Sequence, residues 1–163
     1  MVTAHAPRLP SSKIMDWDAA QAWRQTVRGQ VVFTNGVFDL LHRGHVDIIN
    51  EARREGAALI VGINSDASVR RLKGDERPVC SAPERAYVLA ALEAVDAVVE
   101  FDQDTPLELV QLLQPDVIVK GGDYSPDNIV GADVVRANNG RVVVVPIVPG
   151  HSTTSTIEKL RAL

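Results

Sequence analysis

Five short apolar runs, rich in β-branched residues and separated from one another by segments of helical pattern, most constrain the fold of this chain. They lie at residues 31–34, 58–63, 97–101, 116–120 and 141–148. Near-continuous apolar runs of this length predict strands that are buried on both faces. Strands that alternate with helices predict a parallel sheet covered by helices on both faces.

The chain length fits one domain of this kind. At 163 residues a single compact domain buries roughly two-thirds of its unfolded surface. We therefore expect an α/β fold: one Rossmann-like, doubly wound domain at residues 14–163 with a five-stranded parallel sheet. Residues 1–13, which contain two prolines and show no hydrophobic periodicity, are expected to form a flexible lead-in.

Local signals predict where several helices begin. Asp16 is a candidate N-cap for a helix whose apolar face carries Trp17 and Trp23. That face packs either on the domain's own sheet or on a second subunit, so a homo-oligomer is one expectation. Capping boxes at residues 81–84 and 105–108 predict two further helix starts.

Composition excludes several classes of protein. The net charge is −4 with both signs interspersed, which argues against a nucleic-acid surface. The longest apolar runs are far shorter than the roughly 18 residues that a membrane span needs, and the N-terminus lacks a signal-peptide pattern. We therefore expect a cytoplasmic protein with no membrane partner. Its one cysteine, Cys80, excludes an internal disulfide and a multi-cysteine zinc site.

Polar residues follow each predicted strand, for example Asn35-Gly36 after the first and Asn64 after the second. Ligands of open parallel sheets bind beyond the carboxyl ends of the strands, where the strand order reverses. We expect these polar residues to gather at one edge of the sheet.

His42 and His45 lie three residues apart where the first strand gives way to a helix. If the helix begins near Gly44, its free N–H groups and dipole form an anion site toward which both imidazoles point. The pair could instead be two metal ligands, but no third ligand lies nearby, and a zinc site normally needs three or four. Incidental loop histidines are the other alternative.

A second candidate anion site precedes the last helix, where Ser152, Thr153 and Thr154 follow a glycine. Hydroxyls and helix N–H groups can share phosphate oxygens there, although an ordinary N-cap favours the same residues. Lys73 and Lys120 supply positive charge for a polyphosphate, but a solvated loop lysine is the alternative for Lys73.

The familiar nucleotide motifs are absent. The sequence contains neither G-x-x-x-x-G-K-[ST] nor, after the first strand, G-x-G-x-x-G, which excludes a P-loop enzyme and a dinucleotide-binding fold. No G-x-S-x-G elbow is present either, which disfavours an α/β-hydrolase.

The segment "TNGVFDLLHRGH", together with the terminal "STTSTI", resembles the HxGH nucleotidyltransferase superfamily and its cytidylyltransferase-like branch. Within that branch, "GINSDASVRRLKGDERPV" and "PDVIVKGGDY" resemble the adenylyltransferases that act on D-glycero-β-D-manno-heptose 1-phosphate. Such enzymes make ADP-heptose for lipopolysaccharide or surface polysaccharide. Many relatives carry this domain behind a sugar kinase, for which 163 residues leave no room, so the resemblance implies a separate kinase upstream.

The resemblance also implies roles for individual residues. His42, His45 and Lys73 would be catalytic, Lys73 by bridging the sugar phosphate and the α-phosphate. Asp39, Asn64 and Arg85 would lie on the acceptor side. Lys120 matches the family loop without being assigned to phosphate or base. The residues expected to bind the nucleotide are Asn35, Gly36, Phe38, Gly44, Lys120, Gly121, Gly122, Asp123, Ser152, Thr153 and Thr154.

The expected reaction is direct displacement, in which the phosphate of the sugar 1-phosphate attacks the α-phosphorus of ATP and pyrophosphate leaves. Mg²⁺ is expected to be held mainly by the triphosphate, without a dedicated protein metal site. A cytidylyltransferase acting on glycerol 3-phosphate or a related polyol phosphate is one alternative. A non-catalytic nucleotide-binding module is the other.

Overall fold

The computed structural model describes residues 8–122, 124–146 and 153–162. Short 3-10 turns lie at Pro10–Lys13 and Pro126–Asn128. The strands are β1 (Ile14–Met15), β2 (Val31–Gly36), β3 (Ala58–Asn64), β4 (Ala97–Phe101), β5 (Val117–Gly121) and β6 (Arg141–Val145). The helices are α1 (Trp17–Thr26), α2 (Arg43–Arg54), α3 (Asp66–Lys73), α4 (Ala82–Ala90), α5 (Leu107–Leu113), α6 (Ala132–Ala137) and α7 (Thr153–Arg161).

The sheet is parallel throughout the described residues, as predicted, but it has six strands in the order β1-β4-β3-β2-β5-β6. The prediction of five strands was wrong because β1 is only two residues long, too short to show a hydrophobic pattern. Its residues Ile14 and Met15 pair with Val98 and Val99 of β4. The last predicted strand, 141–148, ends at Val145 in the structure.

The strand order reverses between β2 and β5. From β2 the chain builds outward through β3 and β4, and it then returns to add β5 and β6 on the other side. β2 and β5 pair through Val32 with Val117 and Phe33 with Ile118. The crevice beyond their carboxyl ends is therefore the place where this class of sheet binds ligands.

Two hydrophobic cores cover the two faces of the sheet. In β2, Val31 and Phe33 point into the core built with α1, α5 and α6, while Val32 points into the core built with α2 and α4. Trp17 and Trp23 of α1 pack against the first of these cores. The tryptophan face of α1 therefore packs on the domain's own sheet, which was one of the two predicted alternatives; the other was packing on a second subunit.

One of the two predicted capping boxes forms. The backbone N–H of Ser81 donates to the Glu84 carboxylate at 3.0 Å at the start of α4. The box at residues 105–108 was wrong, because α5 begins at Leu107 and the residue before it is Pro106, whose side chain has no hydrogen-bonding group. The predicted N-cap of α1 is confirmed, since Asp16 accepts a hydrogen bond from Ala19 N at 2.8 Å.

The N-terminal turn is anchored to the domain. Lys13, at the end of the segment predicted as a lead-in, is buried, and its Nζ donates to Leu92 O at 3.1 Å. None of the helices in the described residues is long and apolar enough to cross a membrane.

Candidate functional site

The histidine pair marks the junction of β2 and α2. His42 is the N-cap of α2, and the backbone N–H groups of His45 and Val46 both donate to His42 O. The N–H groups of Arg43 and Gly44 precede these first internal hydrogen bonds, as in any helix start. The two imidazoles are stacked, with ring centroids 3.8 Å apart and planes 20° apart. The predicted helix start near Gly44 and the shared direction of the two rings are thus confirmed.

The loop between β2 and α2 fixes the position of the His45 ring. Phe38 adopts a left-handed backbone conformation, with φ of 50°, which is uncommon for a bulky residue. Its ring meets His45 edge-on at a centroid distance of 5.2 Å, a favoured aromatic geometry. The Phe38 ring of this loop is therefore in direct contact with the His45 ring.

A cleft of about 460 Å³, hereafter the histidine cleft, opens above the junction of β2 and β5. It is lined by Thr34, Asn35, Gly36, Val37, Phe38, His42, Gly44, His45, Ile48, Lys120, Gly121, Tyr124 and Thr153. Thr153, the first residue of α7, also reaches the β2–α2 loop, with its Oγ1 3.5 Å from Leu40 O. The starts of α2 and α7 therefore face the same cleft.

Two polar atoms in the lining are buried without a hydrogen-bond partner in the part of the chain that the structure describes: Asn35 Oδ1 and His45 Nδ1. Such groups are rare because each forgoes its hydrogen bonds with water. Burial, reinforced by the neighbouring His42, lowers the pKa of His45 to about 4. The His45 imidazole is therefore neutral near pH 7.

Lys120 brings the positive charge of the cleft. It lies near the end of β5, and its Nζ donates to Asn35 O at 3.2 Å. Burial lowers the pKa of this ammonium to about 8, because removal from water disfavours the charged form. The Lys120 side chain therefore reaches across from β5 to the end of β2, beside Asn35.

The glycines that follow Lys120 allow close packing. A Cβ on Gly121 would overlap Ile48 Cδ1 of α2, and Gly122 has a φ of 134°, which side chains rarely tolerate. Asp123 and Ser152, both expected to bind nucleotide, lie outside the described residues.

Lys73 is not in the histidine cleft. It ends α3 and lines a neighbouring cleft of about 250 Å³, whose other wall includes Thr154 and Ile157 of α7. Because Thr153 lines one cleft and Thr154 the other, the start of α7 separates Lys73 from the histidines.

The three residues expected on the acceptor side are all buried, and none lines the histidine cleft. Asp39 accepts hydrogen bonds from Val79 N, Cys80 N and Arg77 Nε at 2.7–2.9 Å. Burial alone would raise the pKa of the Asp39 carboxyl, but these donors together hold it below its ordinary value. Asn64 Nδ2 donates to Ser68 Oγ at 3.0 Å. Asp39 and Arg85 adjoin a separate cavity of about 110 Å³ on another side of Phe38.

Sequence reasoning missed Ile48 and Tyr124, which both line the histidine cleft. Ile48 lies one helical turn after His45, so the i, i+3 spacing on α2 is a signal that could have found it. Tyr124 is 56% exposed, and an exposed aromatic side chain directly after a glycine-rich turn is the corresponding signal.

No group of three or more His, Cys, Asp or Glu side chains that could hold a metal ion occurs within residues 8–122, 124–146 and 153–162. Two helix starts face one cleft at the switch point of a parallel sheet, and one of them carries a histidine pair. The chain belongs to the cytidylyltransferase-like family, whose model matches residues 33–159.

Two relatives are similar over nearly the whole of this chain. The chain is 55% identical over 160 residues to "Bifunctional protein HldE" of Geotalea uraniireducens, with 96% of this chain and 33% of that protein covered. The protein of the same name from Mesorhizobium japonicum is 53% identical over 163 residues, with 98% and 33% covered. The chain thus spans about a third of the length of these relatives.

Solved structures share the fold. The lipopolysaccharide core biosynthesis protein from Thermoplasma volcanium is 26% identical with a TM-score of 0.59, over 74% of this chain and 98% of that one. The pantoate-beta-alanine ligase from Francisella tularensis has a TM-score of 0.58 over 82% of this chain and 66% of its own. At 15% identity, the second likeness concerns the fold alone.

Proposed function

We propose that this chain transfers the adenylyl group of ATP to D-glycero-β-D-manno-heptose 1-phosphate, which yields ADP-heptose and pyrophosphate. The resemblance of its motifs to such adenylyltransferases supports the substrate pair. Identities of 53–55% to HldE proteins and the likeness to a lipopolysaccharide core biosynthesis protein agree with it. The observation that carries the proposal is the histidine cleft, in which the histidine pair and the start of α7 face one space.

The cleft suits an incoming polyphosphate. A neutral imidazole carries one N–H, so His45 can donate it to a phosphate oxygen, and the His42 ring is stacked beside it. The N-terminal end of α2 adds its dipole and the N–H of Gly44. At the other end, Thr153 brings its hydroxyl and the first N–H groups of α7, and we assign Ser152 to the same role. Thr154, which lines the neighbouring cleft with Lys73, would reach the phosphates from that side.

The chemical step needs no protein nucleophile. A phosphate oxygen of the sugar 1-phosphate forms a bond to the α-phosphorus of ATP, and the bond between that phosphorus and the oxygen bridging to the β-phosphate breaks. Pyrophosphate leaves with the electron pair of that bond. The protein has to align two anions and offset the charge that spreads in the transition state. Lys73, beside the start of α7, would approach the α-phosphate and the acceptor phosphate.

The remaining lining residues would hold the nucleotide. Asn35 and Gly36 end β2 beneath the phosphates, and Phe38 positions the His45 ring. Gly121, Gly122 and Asp123 would border the base and ribose. Lys120 would meet a negatively charged part of the nucleotide, since the partner of its Nζ among the described residues is a neutral backbone carbonyl, Asn35 O.

Mg²⁺ would enter as part of the nucleotide. The lining of the histidine cleft contains no Asp or Glu among the described residues, and the nearby Asp39 carboxylate is already taken by three donors. Hard cations prefer carboxylate and phosphate oxygens, so the donor set fits an ion held by the triphosphate and water. When bound, that ion offsets charge on the phosphates.

A kinase that phosphorylates the sugar at C1 has to supply the acceptor. Because both steps use ATP, we place them in the cytoplasm, with small-molecule substrates and neither nucleic acid nor membrane as partner. A homo-oligomer is compatible with this function.

Pyrophosphate release from purified protein tests the proposal. ATP and CTP are each supplied with Mg²⁺ and either D-glycero-β-D-manno-heptose 1-phosphate or glycerol 3-phosphate. We expect release only with ATP and the heptose phosphate. Pyrophosphate release only with CTP and glycerol 3-phosphate would show that the chain is a cytidylyltransferase acting on glycerol 3-phosphate. Nucleotide binding without any pyrophosphate release would show that it is a non-catalytic nucleotide-binding module.

A further inference from the structure

Arg85, near the start of α4, donates four hydrogen bonds to other parts of the protein. Its Nε donates to Cys80 O at 3.0 Å, and its two terminal nitrogens donate to Val37 O at 2.7 Å, Asn64 O at 2.9 Å and Asp66 Oδ1 at 2.7 Å. The side chain is 1% exposed. Four of its five N–H donors thus have protein acceptors, and the buried side chain offers almost no exposed surface to a substrate phosphate.

The acceptors of Arg85 belong to three different segments. Val37 lies in the β2–α2 loop, Asn64 and Asp66 lie where β3 is followed by α3, and Cys80 lies in the loop before α4. Asp39 ties two of these segments together a second time, because it lies in the β2–α2 loop and accepts hydrogen bonds from Val79 N and Cys80 N. The β2–α2 loop is therefore held by hydrogen bonds to the segment before α4 and to the start of α4. We call the three side chains that make these bonds, Asp39, Arg77 and Arg85, the loop clamp.

The loop clamp ends where the histidine cleft begins. Val37, whose carbonyl accepts from Arg85, lines the cleft and precedes Phe38. Phe38 is held at a φ of 50°, a conformation that persists only where the surrounding structure imposes it. The Phe38 ring is in edge contact with His45, so two residues link the Arg85 guanidinium to the His45 imidazole.

We propose that Arg85 is a positioning residue, which sets the β2–α2 loop and hence the His45 ring, and that it does not contact the acceptor substrate. This inference rests on the proposed function for its kinetic consequence, but its structural consequence concerns the protein without ligand. It replaces the acceptor-side role that the resemblance implied for Arg85.

The test compares Arg85→Lys with wild type and with Arg71→Lys as a matched control. Lysine keeps the charge but cannot donate to four acceptors in a fixed planar fork. Arg71, on α3, is exposed and pairs with Asp104. Histidine ring resonances are recorded by NMR on ligand-free protein, kcat and KM for both substrates are measured with ATP and the heptose phosphate, and circular dichroism checks the fold.

A positioning role predicts that the His45 ring resonances move in ligand-free Arg85→Lys and stay at their wild-type values in Arg71→Lys. It also predicts that kcat falls roughly 10–100-fold, as small displacements of reacting groups do, while both KM values change by less than about threefold. Unchanged His45 resonances together with a tenfold or larger rise in the acceptor KM would overturn the inference, because that pattern belongs to a substrate contact.

Asp66→Asn keeps the test decisive if Arg85→Lys does not fold. The amide preserves an acceptor oxygen for Arg85 but removes its charge, and the Asp66 side chain is 32% exposed, so this substitution is mild. We expect a smaller His45 shift than in Arg85→Lys, and a wild-type spectrum would overturn the inference. Since these spectra need no substrate, failure of the proposed reaction leaves the positioning role separately testable.

Discussion

The loop clamp and the lining of the histidine cleft lie on either side of the β2–α2 loop. They differ in whether their buried polar atoms have hydrogen-bond partners in the protein. In the loop clamp, both carboxylate oxygens of Asp39 and all three guanidinium nitrogens of Arg85 have hydrogen-bond partners in the protein. In the cleft, Asn35 Oδ1 and His45 Nδ1 have none among the described residues. Buried groups with complete hydrogen bonding stabilise a fold, whereas unpaired ones at a switch point indicate a ligand.

This contrast predicts that a change in the loop clamp lowers stability and reaches activity only through the position of His45, while a change in the cleft acts on substrate binding and catalysis directly. The largest expected effect is on stability. Asp39→Ala leaves Arg77 and two backbone N–H groups without their acceptor, and breaking a buried ion pair costs about 3–5 kcal/mol. Chemical denaturation measures the loss. Asp104→Ala, which removes an exposed partner of Arg71, is the control and should cost at most about 1 kcal/mol.

His45→Ala gives the largest effect on activity. We expect kcat to fall about 10²–10³-fold, as on loss of one preorganised donor, while circular dichroism stays native. Pyrophosphate release measures the rate. Wild-type turnover in a folded mutant would show that His45 has no role in the reaction.

Lys120→Met should change ATP affinity and thermal stability in opposite directions. Methionine fills a similar volume without the cost of burying an amine, so we expect the melting temperature at pH 7 to rise by about 2–8 °C while ATP binds roughly tenfold more weakly. Differential scanning calorimetry and titration calorimetry measure the two quantities. A variant that melts lower and binds ATP normally would assign Lys120 to the scaffold instead.

Lys120 also predicts how stability changes at alkaline pH. Its pKa is about 8 in the folded protein and 10.5 as an unperturbed group. Between these values the unfolded chain binds the proton more strongly, so this group's contribution to stability rises with pH from about 8 to 10.5. Denaturation curves of wild type should show that rise relative to Lys120→Met, and parallel pH profiles would contradict it.

A pH effect of similar size is expected for His45 at acidic pH. Its pKa is about 4 when folded and 6.5 as an unperturbed group, so the unfolded chain takes up a proton as pH falls from 6.5 to 4 while the folded chain does not. Stability from this group is therefore lost across that window and levels off below it. His45→Asn should show a shallower loss between pH 6.5 and 4 than wild type.

The sequence predicts the larger part of the fold because its strands are continuous and apolar. Residues 31–34 and 97–101 could be assigned from local pattern alone, and both are strands. β1 could not, since two residues carry no periodicity and this strand exists only through its pairing with β4. Likewise, Pro106 rather than Thr105 precedes α5, a choice that local propensity does not decide.

The histidine cleft was predictable for the same reason. His42 and His45 are close in sequence, and the ends of parallel strands meet at one edge, so local spacing and topology together bring Asn35 and Lys120 beside them. The loop clamp was not predictable, because Asp39 meets its partners 38–41 residues away and Arg85 meets Val37 across 48 residues. A buried arginine and a substrate-binding arginine look alike in sequence.

A crystal structure with Mg²⁺ and α,β-methylene-ATP tests the central claim most directly. The claim is that a nucleoside triphosphate lies between the starts of α2 and α7 and that its phosphate oxygens accept hydrogen bonds from the His45 imidazole and from Thr153. We predict phosphate oxygens within hydrogen-bond distance of His45 and of Thr153 in the same complex. A nucleotide bound elsewhere, or one that contacts Arg85 and leaves both of these residues untouched, would contradict the account.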